Sequence, residues 1–203
     1  MNSSMKQVAD SETNEILKIA RECLALPGDF VELGCYEGDT SLLLAEILRD
    51  ANVQDANLGR EDAKRLWIYD SFEGLPAKTD ADFSVAGEAF QAGVLAVSKR
   101  EVKLRFLRAG LPVPVITKGW FADLTRSDLP REIAFAFLDG DLYESIRDSF
   151  RAIDGLVVPG GIIIVHDYNN PELPGVTKAV DEWCAKHGQK VLQRESLAII
   201  KSD

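Results

Sequence analysis

The sequence predicts a doubly wound α/β fold with a mostly parallel, seven-stranded sheet whose last strand is antiparallel. Short apolar runs alternate along the chain with longer segments that have a helical spacing of apolar residues. The runs at 133–138 and 162–165 are continuously apolar, which is typical of parallel strands covered by helices on both faces. Two further runs, at 190–193 and 197–201, lie close enough in sequence to form a hairpin that adds an antiparallel strand.

The individual elements follow from the same pattern. Five apolar runs bounded by turn residues are predicted strands: 30–33, 66–69, 113–117, 133–138 and 162–165. Four segments are predicted helices: 41–49, 98–109, 143–153 and 177–187. Ser98 and Glu101 have the spacing of a capping box at the start of the second helix. Gly110, Gly155 and Gly188 stand where helices commonly end.

The length of 203 residues suits one domain with a core large enough to fold without disulfides or metals. We expect a single domain over 1–203 that begins with a helical segment at 1–28. Two segments, 52–64 and 76–97, are poor in strand and core signals. We expect 76–97 to lie over the site as a lid or substrate loop, and a plain ordered excursion is the alternative.

The charge and cysteine content exclude several classes of function. Lys and Arg number 23 against 33 Asp and Glu, and a net charge of −10 would repel a nucleic acid. Three cysteines without CxxC spacing indicate reduced thiols in a reducing compartment. The amino terminus has no apolar signal segment, and no stretch approaches the length of a membrane span. We therefore expect a cytoplasmic protein that binds neither nucleic acid nor membrane.

The residues that follow the first two strands point to a nucleoside-containing ligand, because ligands of doubly wound sheets bind beyond the carboxyl ends of the strands. Gly34 and Gly38 lie in the turn after the first strand, where glycine lets a ligand approach backbone N–H groups. Their spacing is not that of the G-x-G-x-x-G dinucleotide fingerprint. Asp70 follows the second strand and is placed either to bind the two hydroxyls of a ribose or to cap its own turn.

Acids also follow the fourth and fifth strands. Asp139 and Asp167 come directly after apolar runs on neighbouring strands, so both carboxylates lie within reach of one hard cation such as Mg²⁺. Asp141 is predicted to cap the helix that begins near 143. His166 has three alternatives: it ligates the metal, acts as a base near neutral pH, or makes a supporting hydrogen bond from outside the ligand set.

Five motifs in order along the chain resemble those of the macrocin O-methyltransferase family. They are VELG at 31–34, YDSFEGLP at 69–76, KGWF at 118–121, LDGDLYES at 138–145, and PGG at 159–161 followed by HDY at 166–168. The second and fourth are specific as a pair, and the matches extend over residues from about 30 to 188. The resemblance implies a Rossmann-like class I methyltransferase sheet, S-adenosylmethionine as methyl donor, and methylation of a hydroxyl in natural-product biosynthesis.

The resemblance also implies roles for individual residues. The cofactor's methionine end would be surrounded by Glu32, Gly34, Tyr36 and Thr40, its ribose would be held by Asp70, and its adenine would be lined by Ser71, Gly119 and Trp120. A divalent metal, usually Mg²⁺, would sit between Asp139 and Asp167 and bind the acceptor oxygens. Asp139 or His166 would be the general base.

One departure from the family pattern affects the metal site. The family usually has Asp-Asp-Tyr where this chain has His166, Asp167 and Tyr168, so the metal would have one acid fewer, a nitrogen ligand, or lower affinity. The expected partner is a small hydroxylated acceptor, such as a sugar of a natural product, and a homo-oligomer is left open. A catalytically silent S-adenosylmethionine-binding or scaffold protein is the alternative function, and a dehydrogenase is disfavoured by the missing fingerprint.

Overall fold

The helices and strands of the chain follow the predicted alternation. A computed structural model describes residues 8–54, 63–84 and 88–203. In chain order the elements are α1 (Asp10–Glu22), β1 (Asp29–Leu33), α2 (Asp39–Gln54), β2 (Leu66–Asp70), α3 (Lys99–Arg108), β3 (Val115–Lys118), β4 (Ile133–Leu138), α4 (Tyr143–Ile153), β5 (Val157–Val165), α5 (Pro174–His187), β6 (Val191–Arg194) and β7 (Leu197–Lys201).

The seven strands form one sheet in the order β3-β2-β1-β4-β5-β7-β6. Neighbouring strands from β3 to β5 are parallel, whereas β7 is antiparallel to both β5 and β6. The predicted mostly parallel sheet with an antiparallel last strand is therefore confirmed. The chain runs outward from β1 in both directions, so β1 and β4 form the switch point at which such folds bind ligands.

Each face of the sheet carries its own core, because successive side chains of a strand point to opposite faces. On one face Phe30, Phe135 and Phe137 pack with buried residues of α1, α2 and α3. On the other face Val31 and Leu138 pack with buried residues of α4 and α5. Buried side chains therefore cover both faces of β1 and β4, which explains why the run at 133–138 is apolar at every position.

Several element boundaries differ from the predicted ones. α2 is Asp39–Gln54 instead of 41–49, and β3 is Val115–Lys118 instead of 113–117. Two further differences occur at glycine or proline. β5 begins at Val157 instead of 162 and includes Pro159, Gly160 and Gly161, with an irregular register against β4. α5 begins at Pro174 instead of 177, because proline is well suited to the first turn of a helix. These positions read as turns in the sequence, but the sheet and the helix accommodate them.

Two of the predicted helix signals are confirmed in detail. The N–H of Glu101 donates to Ser98 Oγ, and the Glu101 carboxylate accepts from the N–H of Ser98 at 3.0 Å. Gly188 is the residue after α5 and has φ 66°, a conformation that costs other residues more than glycine. The three cysteines are buried and form no disulfide, in agreement with the expected free thiols.

The less regular segments are only partly described. The expected helical segment at 1–28 contains α1 and a short 3₁₀ turn at Cys23–Ala25, and its residues 1–7 lie outside the described part. The segment 52–64 begins inside α2, and its residues 55–62 also lie outside. Within the described residues, no helix has both the length and the apolar character that a bilayer crossing requires. The single domain over 1–203 stays a prediction.

Candidate functional site

The carboxyl ends of β1, β2, β4 and β5 border two adjoining cavities. The larger has a volume of about 190 Å³ and the smaller about 90 Å³. Both are lined by Gly34, Tyr36, Leu95, Asp139 and Asp141. The larger cavity is also lined by the predicted cofactor residues Asp70, Ser71, Gly119 and Trp120, and the smaller by Glu32, Thr40, His166 and Asp167. The fold thus brings together all the residues that were predicted from sequence to form the site.

Gly34 allows the ends of β1 and β4 to touch. Its φ is 92°, and a Cβ at this position would lie 1.9 Å from the carbonyl oxygen of Asp139. The strand pairing continues here, because the N–H of Asp139 donates to the carbonyl of Leu33 at 2.9 Å. Gly34 is therefore required by the close approach of two strand ends, whatever ligand binds beside it.

Asp70 ties the turn after β1 to the end of β2. Its Oδ2 accepts from the N–H groups of Cys35 at 2.9 Å and Tyr36 at 3.3 Å. Its Oδ1 accepts from the N–H of Phe72 at 2.8 Å, so the carboxylate also caps its own turn. A carboxylate offers about four acceptor positions, so the capping alternative does not exclude a ligand. A ribose-binding role for Asp70 stays a prediction.

Glu32 is a buried carboxyl group in the wall of the smaller cavity. It is 1% exposed and accepts a hydrogen bond from Ser41 Oγ at the start of α2. Burial raises the pKa of Glu32 to about 8, the hydrogen bond from Ser41 opposes this, and the charges of Asp139 and Asp70 add to it. Glu32 therefore carries a proton near neutral pH unless a cation binds next to it.

Asp139, His166 and Asp167 form a compact cluster of potential metal ligands. His166 Nδ1 lies 3.1 Å from Asp139 Oδ1 and 3.2 Å from Asp167 Oδ2, and all three ligand atoms lie within 4.8 Å of one another. Two ligand atoms at right angles around an ion, each about 2.1 Å from it, are about 3.0 Å apart. The donor set therefore fits one divalent cation with three protein ligands.

The His166 ring lies between carboxylates on both sides. Its Nε2 is 3.4 Å from Glu12 Oε2, opposite the two acids at Nδ1. Burial would lower the pKa of His166, but the charge of Asp139 and the polar contacts with Asp139, Asp167 and Glu12 raise it above the ordinary value. The ring therefore carries both protons near neutral pH when no cation lies between the acids.

Glu12 is a functional candidate that the sequence analysis missed. It lies in the first turn of α1 and is 7% exposed. The contact with His166 lowers the pKa of Glu12 to about 2, burial opposes this, and hydrogen bonds from Ser196 assist it. No local pattern could have revealed this residue, because its partners His166 and Ser196 come from the turn after β5 and from the turn between β6 and β7.

Asp141 does not cap α4, so that prediction is wrong. The residue before α4 is Leu142, and the N–H of Tyr143 donates to Asp82 Oδ1 at 2.6 Å. Gly175 leaves room for this contact, because a Cβ there would lie 2.0 Å from the same oxygen. Asp141 instead borders both cavities, where burial and then the charges of Asp139 and Asp167 raise its pKa. The motif DGD at 139–141 was a signal for this second acid.

The segment 76–97, of which residues 85–87 lie outside the described part, contributes Pro76 and Leu95 to the lining of the site. The N–H of Leu75 donates to the carbonyl of Val94, and the N–H of Gly93 donates to the carbonyl of Leu75, both at 2.9 Å. This pair of hydrogen bonds holds the end of the segment against the turn after β2. Leu95 follows with φ 65° and lines both cavities. A lid function for the segment stays a prediction.

Comparison with known proteins identifies the family. The model of the macrocin-O-methyltransferase (TylF) family matches residues 7–194. The chain belongs to the TylF family. The match includes both cavities and every helix of the described residues.

Two curated relatives of the chain are O-methyltransferases by their names. A demethyldecarbamoylnovobiocin O-methyltransferase of Streptomyces niveus is 34% identical over 168 residues, which is 79% of this chain. An 8-demethyl-8-(2,3-dimethoxy-alpha-L-rhamnosyl)-tetracenomycin-C 4'-O-methyltransferase of Streptomyces olivaceus is 32% identical over 169 residues, which is 80% of this chain. The matched region spans only 60% of the length of each relative.

A solved structure agrees with the fold. The O-methyltransferase NovP is 29% identical, with a TM-score of 0.74 over 92% of this chain and 78% of the NovP chain. The sheet described above is therefore the class I O-methyltransferase sheet that the sequence motifs predicted. The TylF family assignment rests on the sequence match, and the fold agrees with an O-methyltransferase.

Proposed function

We propose that the chain acts as an S-adenosylmethionine-dependent, divalent-cation-assisted O-methyltransferase on a sugar hydroxyl of a small natural product. The observation that carries the proposal is the position of the Asp139, His166 and Asp167 cluster. It borders the smaller cavity, and Asp139 also lines the larger one. A methyl donor in the larger cavity and an acceptor at the cluster would therefore meet beside Asp139. Membership of the TylF family supports the reaction class.

The residues of the larger cavity suit the adenosine part of S-adenosylmethionine. A Cβ at Gly119 would meet no atom within 4 Å, so this wall has space for a flat ring beside Trp120. Trp120 is 37% exposed, which leaves its ring accessible. Asp70 would bind the ribose, and Ser71, Gly119 and Trp120 would line the adenine. When bound, S-adenosylmethionine supplies a methyl group on a positively charged sulfur.

The methionine end would lie where the two cavities adjoin. Gly34 and Tyr36 line both cavities, and Glu32 and Thr40 line the smaller one. A buried carboxyl group next to the ligand's ammonium group gains a partner of opposite charge, which favours its ionised form. Glu32 would therefore lose its proton on binding and orient the cofactor.

Asp139, His166 and Asp167 would hold the divalent cation, in agreement with their spacing. When bound, such a cation lowers the pKa of an acceptor hydroxyl. Asp139 Oδ1 faces His166, so Oδ2 would accept the hydroxyl proton. We assign the base to Asp139 and not to His166, because Nδ1 of His166 already faces two carboxylates. The main task of the chain is then to align donor and acceptor.

The charge around the smaller cavity favours an uncharged acceptor. Among the described residues, its lining includes Glu37, Asp39 and Asp167 and no Lys or Arg. A phosphate or carboxylate on the acceptor would therefore find no basic side chain there, whereas a neutral glycoside needs none. The names of the TylF relatives support a glycosylated natural product as the substrate class.

The test is transfer of a labelled methyl group from S-adenosylmethionine to a panel of neutral glycosides, with the corresponding sugar phosphates as the matched set. We expect methylated product with neutral glycosides. Loss of this product when a chelator is added, and its return when a divalent cation is added, would support the proposal. Transfer that is unaffected by the chelator would contradict the role of the cation. Donor binding without transfer to any glycoside, with or without cation, would support a silent binding protein instead.

A further inference from the structure

The contact between Glu12 and His166 points to a more specific property of the cation site. The side chains of Glu12 and His166 are 8% and 6% exposed, so the pair is shielded from water. The two ring nitrogens of His166 face different partners. Nε2 faces Glu12, and Nδ1 faces Asp139 and Asp167. The orientation of the ring is therefore fixed from both sides.

The Glu12 carboxylate is itself held in place by donors. Its Oε1 accepts from the N–H and the hydroxyl of Ser196, and its Oε2 accepts from the N–H of Ala9 at 3.3 Å. These groups are donors, so Glu12 contacts them as an ionised, acceptor-only carboxylate. Such a carboxylate next to Nε2 favours the ring form that has a hydrogen on Nε2. A divalent cation between the acids would displace the hydrogen on Nδ1, and the ring would keep the one on Nε2, so that the lone pair of Nδ1 faces the cation and the two acids.

We propose that Glu12 is a positioning residue that keeps the hydrogen on Nε2 of His166 and so makes Nδ1 a metal ligand, and that the resulting site prefers a transition-metal ion to Mg²⁺. The inference rests on the proposed function and deepens it. A carboxylate that accepts from the second nitrogen of a ligating histidine fixes the tautomer and strengthens the ligand. Imidazole suits ions such as Mn²⁺, Co²⁺ and Zn²⁺, whereas Mg²⁺ prefers oxygen ligands only.

The position of Glu12 connects the amino-terminal helix to the site. Ser11 Oγ donates to Glu195 at 2.8 Å, next to the contact of Glu12 with Ser196. Two neighbouring residues, Ser11 and Glu12, thus attach α1 to the turn between β6 and β7. Glu12 also contacts His166. Ser11→Ala is therefore a matched control that loosens the same attachment and leaves the His166 contact intact.

The first experiment is calorimetric titration of Co²⁺ and of Mg²⁺ into metal-free protein. We expect Co²⁺ to bind wild type at least about tenfold more tightly than Mg²⁺. Glu12→Gln should weaken Co²⁺ binding about 10- to 100-fold, and Ser11→Ala should leave it unchanged. In a His166→Asp background, the Glu12→Gln effect should disappear and Mg²⁺ should bind as well as Co²⁺. Equal affinity of wild type for both ions, or equal effects of Glu12→Gln and Ser11→Ala, would overturn the proposal.

The second experiment needs no variant of Glu12, so it tests the proposed ligation through Nδ1 of His166 even when Glu12→Gln does not fold. The chain has two histidines, so ¹⁵N-histidine NMR shows two rings, and His187→Gln assigns them. Addition of Zn²⁺ should shift Nδ1 of His166 to a metal-bound value while Nε2 keeps its hydrogen. An unchanged His166 spectrum, or a metal at Nε2, would overturn the proposal.

Titration of S-adenosylmethionine in the same samples separates this inference from the proposed function. Cofactor binding with no metal signal at His166 would overturn the role of Glu12 and leave the methyltransferase proposal standing. A metal signal at His166 without cofactor binding would support the site and count against the proposed function.

Discussion

The carboxylate of Asp82 accepts a hydrogen bond from the backbone N–H of Tyr143 at 2.6 Å, across 61 residues of sequence. Asp82 lies in a short 3₁₀ turn of the segment 76–97 and is 2% exposed. Its other oxygen accepts from the N–H and the hydroxyl of Thr79 at 2.9 and 2.8 Å. A residue of the proposed lid segment therefore caps a helix that carries part of the cavity wall.

Asp82→Ala should lower the free energy of unfolding by about 1–2 kcal/mol, because it removes the cap of α4. Asp141→Asn is the matched control, since Asp141 precedes the same helix but makes no capping hydrogen bond. It should cause no loss of stability. Urea unfolding of both variants checks this, and a larger loss for Asp141→Asn would show that the cap has been assigned to the wrong acid.

Gly74→Ala should be more destabilising than Gly93→Ala, although both glycines have φ 84°. A Cβ at Gly74 would lie 2.5 Å from the carbonyl oxygens of Gly93 and Val94, whereas at Gly93 it would meet no atom within 4 Å. Gly93→Ala should cost about 1–2 kcal/mol for its backbone conformation alone. Urea unfolding measures the difference, and equal losses would contradict the close contact at Gly74.

The raised pKa of Glu32 predicts a dependence of stability on pH. The folded pKa is about 8 and the unfolded value is 4.5, so the folded state binds more protons between these pH values. The contribution of Glu32 to stability is therefore fully present below pH 4.5 and is lost as the pH rises to 8. Glu32→Gln removes this loss, because the amide stays neutral.

Thermal unfolding of Glu32→Gln and wild type at several pH values measures the effect. The stability of the variant relative to wild type should grow from pH 5 to pH 8 and then level off. A constant difference over this range would show that Glu32 is ionised in the folded protein near pH 5.

Asp139→Asn should lower the rate of methyl transfer about 10²- to 10⁴-fold, the range for loss of a general base. Binding of S-adenosylmethionine should change far less, because Asp70 and the turn after β1 are retained. Asp154→Asn is a control, since Asp154 is an exposed acid that lines neither cavity. Unchanged turnover in Asp139→Asn with an accepted glycoside would rule out the assigned role.

The residues at strand ends could be predicted from sequence because each stands at or just after the end of an apolar run. Asp70 is the last residue of β2, Asp139 follows β4 directly, and Asp167 follows β5 after one intervening residue. Parallel strands bring their carboxyl ends to the same edge of the sheet. The turn at Gly34 was predictable for the same reason. The sequence did not show why Gly34 is needed. The carbonyl oxygen that leaves no room for a side chain there is that of Asp139, which follows another strand.

The residues that were missed act across long sequence distances. Glu12 and Asp82 lie in segments with no apolar strand nearby, and their partners at His166, Ser196 and Tyr143 come from distant elements. Asp141 was assigned to a cap because it stands close before α4, and its left-handed backbone, φ 59°, turns it elsewhere. Local spacing predicts local contacts only, so these three roles required the tertiary structure.

We propose that the larger cavity binds S-adenosylmethionine through Asp70. The most direct test is calorimetric titration of S-adenosylmethionine into wild type and Asp70→Ala, with and without Mg²⁺, and with the exposed acid variant Asp50→Ala as control. We expect wild type and Asp50→Ala to bind S-adenosylmethionine equally well, and Asp70→Ala to bind it more weakly. No binding in any condition, or equal binding to all three proteins, would contradict it.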